Sequence, residues 1–277
     1  MPGSVRVPDM PPSRLTQAVT EELSRIVGGA PSPARLEAAL RHLAKWRSQL
    51  IANTLTGAMG TTVPAGPFAG MVYPGPAAEG GYVPRLLGAY ESTLGPVIET
   101  IAARPYARLI DIGSAEGYYA IGFARRMPST EIWARDAAPH ARNLCAALAL
   151  ANGLQDRIRI GGEITHADLA ICSATPTVVI CDIEGTEDLL LDPDAAPGLR
   201  DADILVECHD LFSPGLSGRL AARFAASHRV NRLPRRIDPD ALPPLTQGWS
   251  DLDRLLALWE WRGGDTPWLW LDRWPGG

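Results

Sequence analysis

The chain has 277 residues, 46% of them hydrophobic and 21% charged, with a formal net charge of −5. That is the composition of a globular protein with enough apolar material for a sizeable core, and it excludes disorder as the dominant state. The 26 basic against 31 acidic residues exclude a strongly basic nucleic-acid binder, and because Lys45 is the only lysine, the arginine excess reads as a genomic bias and not a phosphate-binding device.

The segment from Met1 to Arg14 holds prolines and arginines without an apolar run, so no secretory leader is expected. Apolar positions at helical spacing predict helices over 14–27 and 33–51, the second opened by Ser32 as N-cap and Pro33 as first residue. Residues 48–78 carry no charge, but Gly57, Gly60, Pro64, Gly66, Pro67, Gly70, Pro74 and Gly75 interrupt them. A long ordered loop is expected there, not a membrane span. A third helix fits 84–103, with Gly95-Pro96 as the place for a kink.

From 106 to 274 strand and helix signals alternate. Strands are expected at 108–112, 131–134, 158–160, 177–181, 203–207, 228–233 and 268–271, with helices over 116–126, 139–152, 216–226 and 252–261. This alternation predicts a doubly wound α/β sheet whose ligands bind outside the carboxyl ends of the strands. The chain thus divides into 1–105, an N-terminal arm, helical cap and Gly/Pro-rich loop, and 106–277, an α/β core. Cys145, Cys172, Cys181 and Cys208 show no C-x-x-C spacing, and three of them lie in or beside apolar runs, as in a reduced cytoplasmic protein with buried thiols.

The chemistry is expected at the strand tips. The first strand runs into Asp111-Ile-Gly113-Ser114-Ala115-Glu116-Gly117, where the two glycines allow a tight turn and a close backbone approach. A pyrophosphate would favour a central glycine and bare helix N–H groups; here Glu116 at the helix start would repel it, and a cationic amino-acid cofactor fits better. Asp136 ends the second strand, where a carboxylate can accept hydrogen bonds from both hydroxyls of a ribose, or alternatively cap the following helix.

With Asp182-Ile-Glu-Gly-Thr-Glu187 after a buried strand, these segments resemble class I S-adenosylmethionine-dependent methyltransferases, most closely the FkbM-type branch. The resemblance covers roughly 106–233. It departs at the second strand tip, where Arg135-Asp136-Ala-Ala-Pro replaces the branch's aromatic-acid-Pro wording. It implies a Rossmann-like, largely parallel seven-stranded sheet with an N-terminal helical cap. It also implies that Asp111 and Gly113 to Gly117 hold the methionine part of S-adenosylmethionine, with Asp136 on its ribose.

Transfer of a methyl to a hydroxyl requires a proton acceptor or a metal near the reacting oxygen. Asp182 and Glu184 follow the fourth strand and His209 the fifth, so these three are the catalytic candidates, His209 as general base. The alternatives are an N-cap role for Asp182 and a structural histidine. A divalent-cation site from Asp182, Glu184, His209 and Asp210 is a weaker candidate, without supporting spacing. The expected activity is O-methylation, less readily N-methylation, of a small metabolite by a cytoplasmic enzyme without membrane or nucleic-acid partners, its oligomeric state open. The rivals are cleavage or cyclisation of the cofactor, a non-catalytic nucleoside-binding module and, more distantly, an NAD-dependent oxidoreductase.

Six of the eight tryptophans fall in the last 29 residues, expected as core where a helix packs on an edge strand, with an aromatic substrate wall as the alternative. Arg232, Arg235 and Arg236 are expected to pair with Asp238 and Asp240 in a solvated loop. Tyr90-Glu91 is a candidate lid.

Overall fold

A computed structural model of the chain describes residues 13–75, 77–78 and 80–274. The arm read as lacking a leader lies, up to residue 12, outside the described residues. Helices α1 (Arg14–Val27) and α2 (Pro33–Met59) form an antiparallel hairpin, each opened by a serine side chain that accepts a backbone N–H of the first turn. The second helix runs eight residues beyond its expected end, into the uncharged stretch. Ile51, Ala52 and Leu55 explain this, because they bury against α3 (Tyr82–Leu87) and α10 (Asp251–Ala257). Burial of that face outweighs the helix-weakening Gly57.

The helix expected over 84–103 is in fact broken. After α3 the chain turns through Gly88, passes a short 3₁₀ segment at Ser92–Leu94, and restarts as α4 (Gly95–Ala103) with Pro96 in its first turn. Pro96 therefore begins a helix instead of kinking one, since its missing N–H costs nothing there.

The core is a seven-stranded sheet in the order β3-β2-β1-β4-β5-β7-β6. Its strands are β1 (Arg108–Ile112), β2 (Glu131–Arg135), β3 (Ile158–Gly161), β4 (Thr177–Cys181), β5 (Asp203–Glu207), β6 (His228–Leu233) and β7 (Trp268–Arg273). All pairings are parallel except those of β7, which runs antiparallel to both neighbours. The fully buried runs of β4 and β5 reflect cover on both faces. One face carries α4, α5 (Tyr118–Arg126) and α6 (Pro139–Ala151). The other carries α7 (His166–Leu169), the residues just after α8 (Glu187–Leu190), and α9 (Leu216–Phe224).

The tryptophan-rich end differs from expectation in its place. Trp268 and Trp270 do share one buried face, but β7 is interior and β6 is the edge strand. The helix expected through Trp261 ends at Ala257, leaving Trp259 and Trp261 in an irregular segment. Arg235 pairs with Glu260 and Arg232 with Asp265, so the basic cluster reaches across to that segment and not to Asp238 or Asp240. The four cysteines are free and buried, and no helix among the described residues is long and apolar enough to cross a membrane.

Candidate active site

The strand order reverses between β1 and β4, and the turns leaving these two strands meet there. The Asp182 N–H donates to the Ile112 carbonyl at 2.9 Å, while Gly113 and Ser114 both donate to the Arg135 carbonyl at the β2 tip. Gly113 has φ +77°, and a Cβ there would stand 1.6 Å from the Asp182 carbonyl oxygen. Only glycine lets these two strand tips come so close.

Asp136 binds this turn through its carboxylate. One oxygen accepts the Ala115 N–H at 2.9 Å, the other the Ala138 N–H at 2.8 Å. Beneath the turn, Asp111 is buried and accepts the Ala120 N–H; burial pushes its carboxyl up to about 7. Glu116 precedes α5 and is buried too, accepting from the Tyr73 hydroxyl and the Ala78 N–H, with Arg85 at 3.3 Å. Of the turn candidates, Gly113, Ala115 and Asp136 border the cavity described below, whereas Asp111, Ser114, Glu116 and Gly117 support it from beneath.

The tips of β4 and β5 carry a histidine among carboxylates. His209 is 3% exposed, and its Nδ1 donates to Glu187 Oε1 at 2.7 Å. A carboxylate only accepts, so Nε2 is the nitrogen left for other chemistry. It lies 3.4 Å from Glu184 Oε2, 3.6 Å from Asp182 Oδ1 and 3.9 Å from Glu207 Oε2. Burial works against a charged imidazole, but the Glu187 hydrogen bond and the charges of Glu207, Glu187 and Glu184 outweigh it and raise the His209 pKa. Burial, with the charges of Glu207 and Glu91, likewise lifts the Asp182 carboxyl well above the ordinary range, and it hydrogen-bonds Glu207.

The local chain explains the arrangement. Glu184 at φ +57° and Gly185 at φ +104° fold the segment after β4 back on itself. This lets Glu187 Oε1 also accept the N–H groups of Ile183 and Gly185. A left-handed glutamate costs of order 1–3 kcal/mol, and it brings the Glu184 side chain alongside His209.

Both tips open into a cavity of about 940 Å³. Its other walls come from outside the strand tips: Arg41 of α2, Arg85 and Tyr90 of the α3 region, and Trp261 and Arg262 before β7. Arg262 pairs with Glu91, Glu207 and Glu260. Glu91 is also the acceptor for the Tyr119 hydroxyl and Trp268 Nε1, and burial raises its carboxyl to about 7. Tyr90 is thus a wall of the cavity, and Glu91, the other half of the candidate lid, is tied into the buried network.

Asp182, Glu184 and His209 are brought together; Asp210 is not, since its carboxylate accepts from the N–H and hydroxyl of Ser217 at the start of α9. The cation set foreseen with Asp210 therefore loses that member. Asp182, Glu187 and His209 instead each offer a ligand atom within 4.8 Å of one another. Asp182 Oδ1 and Glu187 Oε2 are buried without a hydrogen-bond partner among the described residues. Sequence reasoning gave no role to Glu187; the signal was an acid five residues past Asp182, opening a short helix. Arg262 and Arg85 carried no such signal.

No family model and no curated protein matches the chain. Among solved structures, a putative O-methyltransferase from Klebsiella pneumoniae is 11% identical, with 95% of this chain and 92% of that one covered and a TM-score of 0.40. The O-methyltransferase TomG from Streptomyces achromogenes, involved in tomaymycin synthesis and solved in complex with SAM, is 14% identical (63% and 77% covered, TM-score 0.42). An O-methyltransferase from Bacillus cereus in complex with SAH is 14% identical (69% and 96% covered, TM-score 0.41). Likeness this distant assigns no activity.

Proposed function

We propose that the protein is an S-adenosylmethionine-dependent methyltransferase acting on a hydroxyl, less readily an amine, of a small molecule. The observation that carries this reading is that one cavity is bordered by the Gly113–Ala115 turn and Asp136 on one side and by His209 on the other. The donor set suits the cofactor. Each Asp136 oxygen accepts one backbone N–H and keeps a lone pair for a ribose hydroxyl. The surrounding carboxylates favour a cation over a pyrophosphate. In this reading 1–105 is the arm, cap and loop over a core at 106–277, and Asp111, Ser114, Glu116 and Gly117 shape the turn.

When bound, S-adenosylmethionine supplies a methyl group on a positively charged sulfur. The protein's own work is to hold the acceptor in line with it and to remove a proton. Neutral His209 accepts the hydroxyl proton at Nε2, and Glu187 fixes the tautomer and stabilises the imidazolium formed. Asp182 and Glu184 orient the acceptor.

Calorimetry tests cofactor use. S-adenosylmethionine and S-adenosylhomocysteine are expected to bind with Kd below roughly 100 μM, about −5.5 kcal/mol. Asp136→Ala is expected to weaken both by about 10–100-fold, the scale of one or two hydrogen bonds to a charged group. Wild-type binding weaker than that limit, together with no effect of the substitution, would refute the reading.

The unpartnered buried oxygens of Asp182 and Glu187 favour a second use of the same side chains, as ligands of a divalent cation that would itself lower the acceptor's pKa. Titration with Mn²⁺ followed by its electron spin resonance separates the two. With His209 as base, saturable binding is absent and chelators leave turnover unchanged; a stoichiometric site lost in Glu187→Gln establishes the cation instead.

A further inference from the structure

We propose that the acceptor is a hydroxyl carried on a flat apolar ring without an acid group, a phenol-like molecule, and that Leu189, Leu211 and Phe212 are the residues that select it. The proposal rests on the methyltransferase reading and names the substrate class for the side of the cavity that holds His209.

These are apolar side chains that the fold leaves unused. Leu189 in α8 is 70% exposed, and Leu211 and Phe212, just past the β5 tip, are 58% and 63% exposed. Exposed leucines scattered singly over a surface are ordinary and need no explanation. These three instead border one cavity, from two separate segments, on the side of His209. Close to them in sequence, Leu191 and Cys208 are wholly buried and supply the packing of this region. What the exposed three offer is apolar area that a molecule entering the cavity removes from water.

The local chain holds this wall in place. The N–H groups of Phe212 and Ser213 both donate to the His209 carbonyl at 2.9 Å, which closes a tight turn. The Phe212 ring then lies nearly parallel to the imidazole, with 14° between the planes and 5.9 Å between the centres. Gly185, at φ +104°, lets the chain after β4 come close, since a Cβ there would stand 3.0 Å from Phe212 Cβ. Leu211 reaches the segment before β7, where a Cβ at Gly264 would meet Leu211 Cδ2 at 3.4 Å. Trp261 of that segment also borders the cavity, held at a left-handed φ of +68° that a bulky side chain adopts only at a cost.

Shape and charge choose among acceptors. A flat ring stacked on Phe212 lies parallel to the imidazole as well, and offset stacking adds to the area it buries. A sugar ring would turn its hydroxyls onto carbon and leave them without partners. An acid group is disfavoured by charge, because Glu184, Asp182 and Glu207 all stand within 3.9 Å of His209 Nε2. Arg262, the cation at this end, is already held by Glu91, Glu207 and Glu260.

The test is calorimetry on the full chain loaded with S-adenosylhomocysteine, using four probes: 2-naphthol, its hydrogenated counterpart decahydro-2-naphthol, its acid derivative 6-hydroxy-2-naphthoate, and methyl glucoside. 2-Naphthol is expected to bind saturably, about tenfold or more tighter than each of the others. The double substitution Leu211→Ala, Phe212→Ala is expected to weaken it by about 10–100-fold, the scale of one or two large apolar contacts, and to leave Tm and the affinity for S-adenosylhomocysteine as in wild type, because both side chains are exposed. Any of the other three probes binding as tightly as 2-naphthol overturns the proposal, as does 2-naphthol binding that the double substitution leaves unchanged. S-adenosylhomocysteine binding without 2-naphthol binding overturns this proposal alone and leaves the cofactor reading standing. A chain that does not bind S-adenosylhomocysteine overturns the cofactor reading and this proposal with it.

Discussion

Replacing His209 with alanine is expected to lower the rate of methyl transfer by about 10²–10⁴-fold, the range that a positioned general base contributes, while leaving the affinity for S-adenosylhomocysteine within about threefold. The imidazole borders the cavity through the β5 tip, whereas the proposed nucleoside contacts come from β1 and β2. A single-turnover measurement with labelled methyl separates chemistry from binding; a loss below tenfold would remove His209 from the role of base. The pH profile carries the sign. The working form is the neutral imidazole, so the rate rises with pH, and because the site raises the His209 pKa above 6.5, this limb lies above pH 6.5. In Glu187→Gln the hydrogen bond and charge that raise it are weakened, while burial, which lowers it, stays. The limb then moves to lower pH as the maximal rate falls, a shift that a purely structural glutamate would not produce.

Gly113→Ala is expected to destabilise the fold by about 2–4 kcal/mol, lowering Tm by roughly 5–15 °C, and to abolish cofactor binding. Two effects add. A left-handed residue with a Cβ costs about 1–2 kcal/mol, and this Cβ would fall 1.6 Å from the Asp182 carbonyl oxygen. Relief requires β1 and β4 to part at their tips, where the Asp182 N–H donates to the Ile112 carbonyl. Gly162→Ala is the control, because a Cβ there meets nothing within 4 Å. Differential scanning fluorimetry with and without S-adenosylhomocysteine reads both consequences, and a Gly113→Ala protein as stable as this control would contradict the close-approach argument.

The boundaries that were misread share a cause. Periodicity stopped α2 at residue 51 because the following residues are small and uncharged, yet Ile51, Ala52 and Leu55 are buried by α3 and α10, elements far away in sequence. The expected single helix over 84–103 is divided at Gly88, where α3 ends in a left-handed turn. A Cβ at Gly88 would lie 1.9 Å from the Ala65 carbonyl oxygen, so the loop's path sets the break. Asp210 looked equivalent to its neighbours in the Glu207–Asp210 run, and only the position of Ser217 draws it away.

The sequence by itself determined the strands and their alternation with helices, because buried β-runs and helical stripes are local patterns of apolar residues. It also located the glycine turn after β1 and the acids and histidine at the strand tips, since backbone freedom and titratable chemistry belong to single residues. Tertiary structure alone decided that Glu187 Oε1, not solvent, receives His209 Nδ1–H, and that Arg262 bridges Glu91 and Glu207. It alone brought Arg85, 28 residues upstream of Gly113, within 3.3 Å of Glu116 in the turn after β1. These are pairings between charges distant along the chain, and their partners are chosen by the shared cost of leaving a buried charge uncompensated, which no local pattern records.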